Sequence, residues 1–165
     1  MVIGTCHKYD WFQVGAAINH PEKGKLLDLS EDAKTVTGIQ DASVKILCND
    51  GYGDPFLIRK LIEMEKPDGI LHFTDPRFWD WLYAMEHEIR SKIPLMYLNI
   101  WDCTPTPMWN KDAYASCDLL MAISKQTYGI NVDALHRGFD GKHEVIGIDG
   151  NSLVPPKYEL RDKII

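Results

Sequence analysis

The sequence predicts an α/β protein, with a Rossmann-like three-layer sandwich in which helices cover both faces of a mainly parallel sheet. Short, nearly continuous apolar runs alternate with amphipathic stretches, a pattern typical of buried parallel strands joined by helices. Two of the helices are predicted to begin at Asp-Pro pairs, Asp54-Pro55 and Asp75-Pro76, because Asp is a good helix cap and Pro fits the first helical position. The 165 residues are 45% apolar, which is enough to bury a core. Residues 1–165 are therefore expected to form a single domain.

The amino-terminal part of the chain is predicted to contain strands and helices in alternation. Residues 2–6 are expected to form a strand and residues 11–18 a helix. Ser30-Glu31-Asp32 could cap a second, short helix. Gly38 should end it, because glycine adopts the left-handed conformation that commonly closes helices. Residues 43–48 are rich in β-branched and apolar side chains, which predicts a strand.

The rest of the chain is predicted to alternate between helices and strands. The helices after Asp54 and Asp75 should end before Pro67 and Pro94, since proline cannot continue a helix. The other expected elements are strands at 69–73, 95–100, 119–123 and 144–148, and helices at 108–116 and 125–135. Residues 154–156 are expected to be extended, and residues 163–165 to begin a strand.

Composition excludes several functional classes. The net charge of -6 and the pI of about 5.4 argue against general nucleic-acid binding, which needs a concentrated positive field. The longest apolar run falls short of the roughly 18–20 residues that cross a bilayer, so no membrane span is expected. No signal-peptide pattern is present, which predicts a cytoplasmic protein. The four cysteines form no C-x-x-C pair, so reduced thiols and no metal site are expected.

Chemistry in parallel α/β sheets is found at the carboxyl ends of the strands. That rule selects four segments, which are residues 49–53, 72–77, 101–106 and 124–127. In the first of them, Gly51 and Gly53 would let backbone N–H groups approach an anion at the start of a helix. A tight turn before a capped helix is the alternative interpretation.

The segment 72–77 carries the most varied chemical groups. His72, beside Asp75 and Arg77, could act as a base, bind a sugar hydroxyl or form hydrogen bonds within the core. Asp75 is expected to cap the following helix. Arg77, in the first helical turn, opposes the helix dipole. That position hints at an anionic ligand, although solvent exposure explains it equally well.

The two later segments combine aromatic and polar side chains. Trp101 and Asp102 suit a carbohydrate, which has an apolar ring face and a rim of hydroxyls; a buried indole and a carboxylate that binds loop amides are the alternative. Ser124 is predicted to cap a helix, and Lys125 could meet a phosphate or carboxylate. Five aromatic residues are concentrated in this part of the chain, and most of them are expected in the core. They are Trp79, Trp81, Tyr83, Trp101 and Trp109.

The chain resembles the amino-terminal domain of GT-B glycosyltransferases of family 4, the glycogen-synthase-like retaining group, among its microbial, phage and environmental members. The motifs that carry the resemblance are His72-Phe73-Thr74-Asp75-Pro76-Arg77-Phe78-Trp79, Trp101-Asp102-Cys103-Thr104-Pro105 and Ala122-Ile123-Ser124-Lys125-Gln126-Thr127. The similarity extends over most of the chain. It implies two Rossmann-like domains across a cleft, of which the first holds the acceptor and the second binds the nucleotide-sugar. It also implies sugar transfer that keeps the anomeric configuration and needs no essential metal or other cofactor.

The expected site residues follow from these motifs and from the strand-end rule. His72, Asp75 and Asp102 are the expected catalytic residues. The expected substrate-binding residues are Gly51, Gly53, Arg77, Trp101, Thr104, Ser124, Lys125 and Thr127. The partner would be a carbohydrate or glycoside acceptor, and a nucleotide-sugar would be the donor substrate. The family's donor-binding glutamates and basic residues have no counterpart in this sequence, so the chain is expected to be a truncated half that is inactive alone.

Two other functional classes stay open. One is a non-catalytic binding module whose exposed apolar surface is covered by association of identical copies. The other is a metal-assisted hydrolase in which His72, Asp75 and Asp102 hold the ion, although their spacing matches no known metal motif.

Overall fold

The computed structural model describes residues 1–16, 19–136 and 146–147. These residues form a mixed α/β structure that divides into two compact units, one at Met1–Leu57 and one that begins at Ile58. Each unit is described by itself. A single domain over residues 1–165 therefore stays a prediction.

The first unit contains a small mixed sheet. Its elements are α1 (Val2–Thr5), β1 (Trp11–Gly15), β2 (Leu26–Asp28), α2 (Ser30–Thr37) and β3 (Val44–Cys48). The strand order is β1-β3-β2, in which β1 runs parallel and β2 antiparallel to β3. Helix α3 (Pro55–Glu65) follows β3.

The strand predicted at residues 2–6 is wrong, because these residues begin with the short helix α1. Cys6 is buried in a small cluster with Ala33, Ala42 and Val44, and Val2 packs against that cluster. A helical turn brings side chains four residues apart close together, whereas an extended chain would separate them by about 13 Å. The helix therefore allows both residues to reach one cluster.

The helix predicted at residues 11–18 is also wrong, because Trp11–Gly15 forms β1. Its residues pair with β3 from Trp11 opposite Val44 to Gly15 opposite Cys48. Trp, Phe and Val all favour strands, and the main-chain pairing with β3 decides the conformation. Residues 17–18 lie outside the described residues.

Two predicted helix ends in this part of the chain are confirmed, at Gly38 and Asp54. The predicted cap at Ser30 is wrong, because Ser30 is the first residue of α2 and Leu29, at the N-cap, makes no side-chain cap hydrogen bond. Gly38 ends α2 with a φ of 74°, and its N–H donates to the Lys34 carbonyl. Asp54 caps α3, where its Oδ1 accepts from the Leu57 N–H at 2.8 Å. Side chains and glycine at these positions satisfy backbone groups that helix ends leave unpaired.

The second unit contains a parallel sheet in the order β4-β5-β6-β7. Its strands are β4 (Ile70–His72), β5 (Leu95–Asn99), β6 (Leu119–Ala122) and β7 (Ile146–Gly147), and its helices are α4 (Asp80–Ala84), α5 (Glu86–Arg90), α6 (Lys111–Ala115) and α7 (Lys125–His136). Short 3-10 turns, Pro76–Trp79 and Met108–Asn110, precede α4 and α6. The predicted strands at 69–73, 95–100 and 119–123 and the helix at 125–135 are confirmed to within a residue or two.

The single helix predicted after Asp75 is instead divided into the 3-10 turn, α4 and α5. The chain tightens at Met85, whose N–H donates to the Leu82 and Tyr83 carbonyls. Of the strand predicted at 144–148, residues 146–147 are described and are extended. The predictions at 154–156 and 163–165 lie outside the described residues.

Side chains within the strands of the second sheet differ in burial from those just beyond the carboxyl ends of the strands. The register aligns His72 with Tyr97, and Asn99 with Ala122, and all four side chains are buried. Beyond the strand ends, the apolar side chains of Phe73, Ile100 and Ile123 are exposed by 49%, 39% and 48%. An exposed apolar edge therefore lies at the carboxyl ends of this parallel sheet.

None of the helices in the described ranges is long and apolar enough to pass through a membrane.

Candidate functional site

The loop between β3 and α3 carries the two predicted glycines of the first unit. Gly51 and Gly53 both have positive φ, 81° and 78°, a conformation that glycine adopts without strain. The Asn49 Nδ2 donates to the Gly51 carbonyl at 2.9 Å. Asp50 and Asp54 flank the glycines in the chain; Asp50 pairs with Lys23 at 3.0 Å and Asp54 caps α3. These contacts favour the tight-turn interpretation.

His72, at the end of β4, is buried, with 5% of its surface exposed. Its Nδ1 lies 2.6 Å from the Tyr83 hydroxyl and its Nε2 lies 2.9 Å from the Thr74 hydroxyl. Its ring stacks on Tyr97, with centroids 4.9 Å apart. Burial lowers the pKa of His72 to about 4, against a smaller opposing effect of the Asp75 charge. His72 is thus neutral near pH 7, with both ring nitrogens engaged, which favours the interpretation as a core hydrogen-bonding group.

Asp75 and Arg77 form a close ion pair directly after β4. The Asp75 Oδ1 accepts from the Arg77 N–H at 3.0 Å and so caps the 3-10 turn, as predicted. The Arg77 Nε lies 3.0 Å from both carboxylate oxygens, and Nη2 lies 2.5 Å from Oδ2. The side-chain hydrogen bond from Arg77 holds the pKa of Asp75 below its ordinary value. This pairing accounts for an arginine in the first helical turn, where the dipole alone disfavours it.

The Arg77 guanidinium also covers an indole. Its Cζ lies 5.6 Å from the centroid of the Trp101 ring, within the range of a cation–π contact. Trp101 is half-buried, and its Nε1 donates to the Cys103 carbonyl at 2.8 Å. Trp109 meets Trp101 edge-on, with centroids 6.0 Å apart, and is 59% exposed. We call these three side chains the Arg77–Trp101–Trp109 surface.

The expectation that aromatic residues fill the core holds for some of them only. Trp79 and Tyr83 are buried and contact His72. Trp109, in contrast, presents most of its surface to solvent.

Ser124 and Thr127 start α7. The Ser124 Oγ accepts from the Thr127 N–H at 3.1 Å, which confirms the predicted cap. Thr127 is fully buried, and its Oγ1 donates to the Trp101 carbonyl at 2.9 Å. The Thr127 hydroxyl therefore contacts the protein rather than solvent, whereas Lys125 is exposed at the first position of the helix.

Asp102 and Thr104 lie exposed on the loop after β5. The Asp102 Oδ1 accepts from the Cys103 thiol at 3.2 Å, and this hydrogen bond raises the pKa of Cys103. The Asp102 carbonyl accepts from the Gln126 Nε2 at 2.7 Å. Of the three predicted catalytic side chains, Asp102 is the exposed one.

Two buried amides at this edge of the sheet were not predicted from the sequence. Asn99 is 1% exposed and Asn131 is fully buried, and the Asn99 Nδ2 donates to the Asn131 Oδ1 at 2.5 Å. The Tyr97 hydroxyl lies 3.2 Å from the Asn99 Oδ1. Asn99 is an isolated polar residue in an apolar strand, and Asn131 follows Thr127 by four residues, on the same helix face. These features mark Asn99 and Asn131 as buried polar candidates, but they do not show that the two side chains pair.

Within the described stretches of chain, no three His, Cys, Asp or Glu side chains are grouped as metal ligands. His72, Asp75 and Asp102 consequently do not form the ligand set that the hydrolase alternative requires.

This chain matches no protein-family model, no curated protein and no solved structure. The resemblance to glycosyltransferases therefore rests on the strand-end motifs alone.

Proposed function

We propose that this chain is the acceptor-side domain of a retaining glycosyltransferase, which transfers a sugar from a nucleotide-sugar to a carbohydrate or glycoside acceptor. The observation that carries the proposal is the Arg77–Trp101–Trp109 surface after β4 and β5. A Rossmann-like three-layer arrangement, as in the family that the motifs resemble, is part of the proposal. The parallel sheet of the second unit is consistent with it.

The aromatic part of this surface fits the apolar face of a sugar ring. The Trp109 indole is 59% exposed and is held edge-on against Trp101. Exposed indoles with nearby polar groups are well suited to ligands that are apolar on one side and polar around the rim. Asp102 and Thr104, exposed on the loop after Trp101, supply oxygens that can bind sugar hydroxyls.

The charge of the surface favours a neutral sugar. The Arg77 guanidinium forms a bidentate pair with Asp75, so its positive charge is already balanced. A phosphorylated or carboxylated sugar would find no uncompensated charge on Arg77. We therefore expect a neutral glycoside as the acceptor.

The three predicted catalytic side chains take different parts in this proposal. Asp102 exposes its carboxylate and would accept a hydrogen bond from the acceptor hydroxyl. Asp75 would orient Arg77 over Trp101. His72, with both ring nitrogens engaged, would hold Tyr83 and Thr74 in place.

Titration with methyl glycosides of glucose, mannose and galactose at millimolar concentrations, followed by tryptophan fluorescence and calorimetry, tests the proposal. The wild type should bind at least one of them, and Trp109→Ala should weaken binding about tenfold or more, as is common when a central aromatic contact is removed. Phe56→Ala is the matched control, because Phe56 is an exposed aromatic on α3. No binding by the wild type, or unchanged binding by Trp109→Ala, contradicts the proposal. Binding of a nucleotide-sugar alone would assign the donor side instead.

A second candidate, a non-catalytic module that associates with its own copies, is favoured by the exposed Phe73, Ile100 and Ile123. Sedimentation velocity over a range of concentrations distinguishes it. Association that Ile123→Lys abolishes, and that Val36→Lys at an exposed position of α2 leaves intact, would support this candidate. A monomer at every concentration would exclude it.

A further inference from the structure

The backbone of Trp101 is held on both sides by buried side chains. Its N–H donates to the Asn99 Oδ1 at 3.0 Å, and its carbonyl accepts from the Thr127 Oγ1 at 2.9 Å. Asn99 ends β5 and Thr127 lies in the first turn of α7. We propose that Thr127 and Asn99 are positioning residues, which set the orientation of Trp101 and thereby shape the Arg77–Trp101–Trp109 surface without contacting a ligand.

Both holding groups are themselves fixed. The Asn99 amide has one orientation that serves its neighbours, because its Oδ1 accepts from Trp101 while its Nδ2 donates to the Asn131 Oδ1 at 2.5 Å. The Thr127 Oγ1 lies 3.0 Å from the Ser124 Oγ. The Asn99–Asn131 hydrogen bond is buried and the others are partly buried, so breaking them leaves polar groups with reduced access to water, which is costly.

The hydrogen bonds that position the Trp101 backbone all lead to helix α7. Thr127 contacts Trp101 directly, and Asn131, one turn later, acts on it through Asn99. The same helix also binds the rest of the loop after β5. The Gln126 Nε2 donates to the Asp102 carbonyl at 2.7 Å, and the Thr106 hydroxyl donates to the Asp133 carboxylate.

The link from α7 to Trp101 does not require a ligand, whereas its effect on affinity rests on the proposed function. The geometry predicts that removing the Thr127 hydroxyl changes the environment of the Trp101 ring. The geometry also predicts that Thr127→Ser, which keeps the hydroxyl, leaves the environment of the Trp101 ring as it is in the wild type.

Fluorine NMR of protein labelled with 5-fluorotryptophan tests the first consequence. The Trp101 resonance is assigned by its loss in Trp101→Phe. Thr127→Val should shift or broaden this resonance, while Thr127→Ser should keep it near the wild-type position. Thr35→Val is the matched control, because the Thr35 hydroxyl donates to a main-chain carbonyl on α2. The Trp11 resonance, from the first unit, should stay in place in every Thr127 variant that is folded.

Thr127→Ala provides a second variant if Thr127→Val does not fold, because it also removes the hydroxyl that donates to the Trp101 carbonyl and adds no bulk at this buried position. It should shift the Trp101 resonance as Thr127→Val does. An unchanged Trp101 resonance in the folded variants overturns the proposal. Valine replaces the Thr127 hydroxyl with a methyl group, whereas serine keeps the hydroxyl and lacks the methyl group. If Thr127→Ser shifts the Trp101 resonance as far as Thr127→Val does, the hydroxyl is not the group that positions Trp101, and the proposal is overturned too.

Affinity for a methyl glycoside that the wild type binds tests the second consequence. Thr127→Val should raise the Kd about tenfold, the scale of one lost hydrogen bond, and Thr127→Ser should recover most of the loss. If the wild type binds no glycoside, the proposed function fails, and the Trp101 resonance alone still decides whether Thr127 is a positioning residue.

Discussion

The imidazole of His72 lies nearly parallel to the phenol ring of Tyr97, with centroids 4.9 Å apart and an interplanar angle of 26°. This contact is made by a neutral imidazole. A proton added to His72 would place a positive charge among buried aromatic rings, with the ionised Asp75 as the opposing charge that partly offsets it.

The first prediction concerns stability against pH. In the unfolded chain His72 should titrate near its ordinary pKa of 6.5, whereas burial lowers its pKa in the folded protein to about 4. Between these values the unfolded state binds more protons, so the free energy of unfolding should fall as the pH falls from 6.5 towards 4. His72 alone should lower the free energy of unfolding by roughly 2–3 kcal/mol between pH 7 and pH 4.5. Urea unfolding at pH 7 and at pH 4.5 measures it.

Two histidine variants isolate this effect. His72→Gln should lose most of the pH dependence in that window. His87→Gln should retain it, because the His87 side chain is 97% exposed. Equal pH dependence in wild type and His72→Gln would contradict the assignment.

The second prediction concerns the Asp75 carboxylate. Asp75→Asn should lower the free energy of unfolding at pH 7 by about 1 kcal/mol, since the charged cap and the pair with Arg77 are both weakened. Because the pKa of Asp75 is lowered in the folded state, its stabilising effect should be present above pH 4 and decline as the pH falls through that lowered pKa. Asp32→Asn, at an exposed position of α2, serves as the control. Thermal unfolding that shows no difference between these variants at pH 7 would be inconsistent with the cap.

The third prediction uses two glycines with opposite expected effects. Gly51→Ala should destabilise the protein by about 1 kcal/mol, because Gly51 has a φ of 81° that alanine adopts only with strain. Gly129→Ala should stabilise it by up to about 1 kcal/mol, because Gly129 lies within α7 and an added Cβ would meet no atom within 4 Å. Urea unfolding of the two variants measures both signs. Destabilisation by Gly129→Ala would contradict the helical assignment there.

Much of the second unit was predictable from local pattern. Its strands are short apolar runs bounded by polar or proline residues, and the Ser124 cap of α7 follows from local chemistry. The amino-terminal elements were not predictable in the same way. Residues 2–6 are apolar enough for a strand, and only the cluster around Cys6 favours the helix. The three-residue β2 is defined by its pairing with β3 rather than by composition.

In the candidate site, too, some residues were predictable from local sequence and others were not. The strand-end rule selected the segments of Asp75, Arg77 and Trp101, which lie in contact. It could not identify Asn99 or the role of Thr127, because each depends on a partner more than 25 residues away in the chain. Buried amides and hydroxyls are chosen by the tertiary neighbours that satisfy them, and a single sequence does not reveal those neighbours.

The hydrogen bond from the Trp101 N–H to Asn99 also affects how fast the Trp101 amide exchanges its hydrogen with solvent. This amide lies in a loop outside any strand or helix, where hydrogen exchange with solvent is usually fast. Here the N–H donates to a buried side chain that is in turn bound to α7, so opening of this hydrogen bond is coupled to the contact between the strand end and the helix. The Trp101 amide should therefore exchange more slowly than the other amides of this loop, and its rate reports the opening of the carboxyl edge of the sheet.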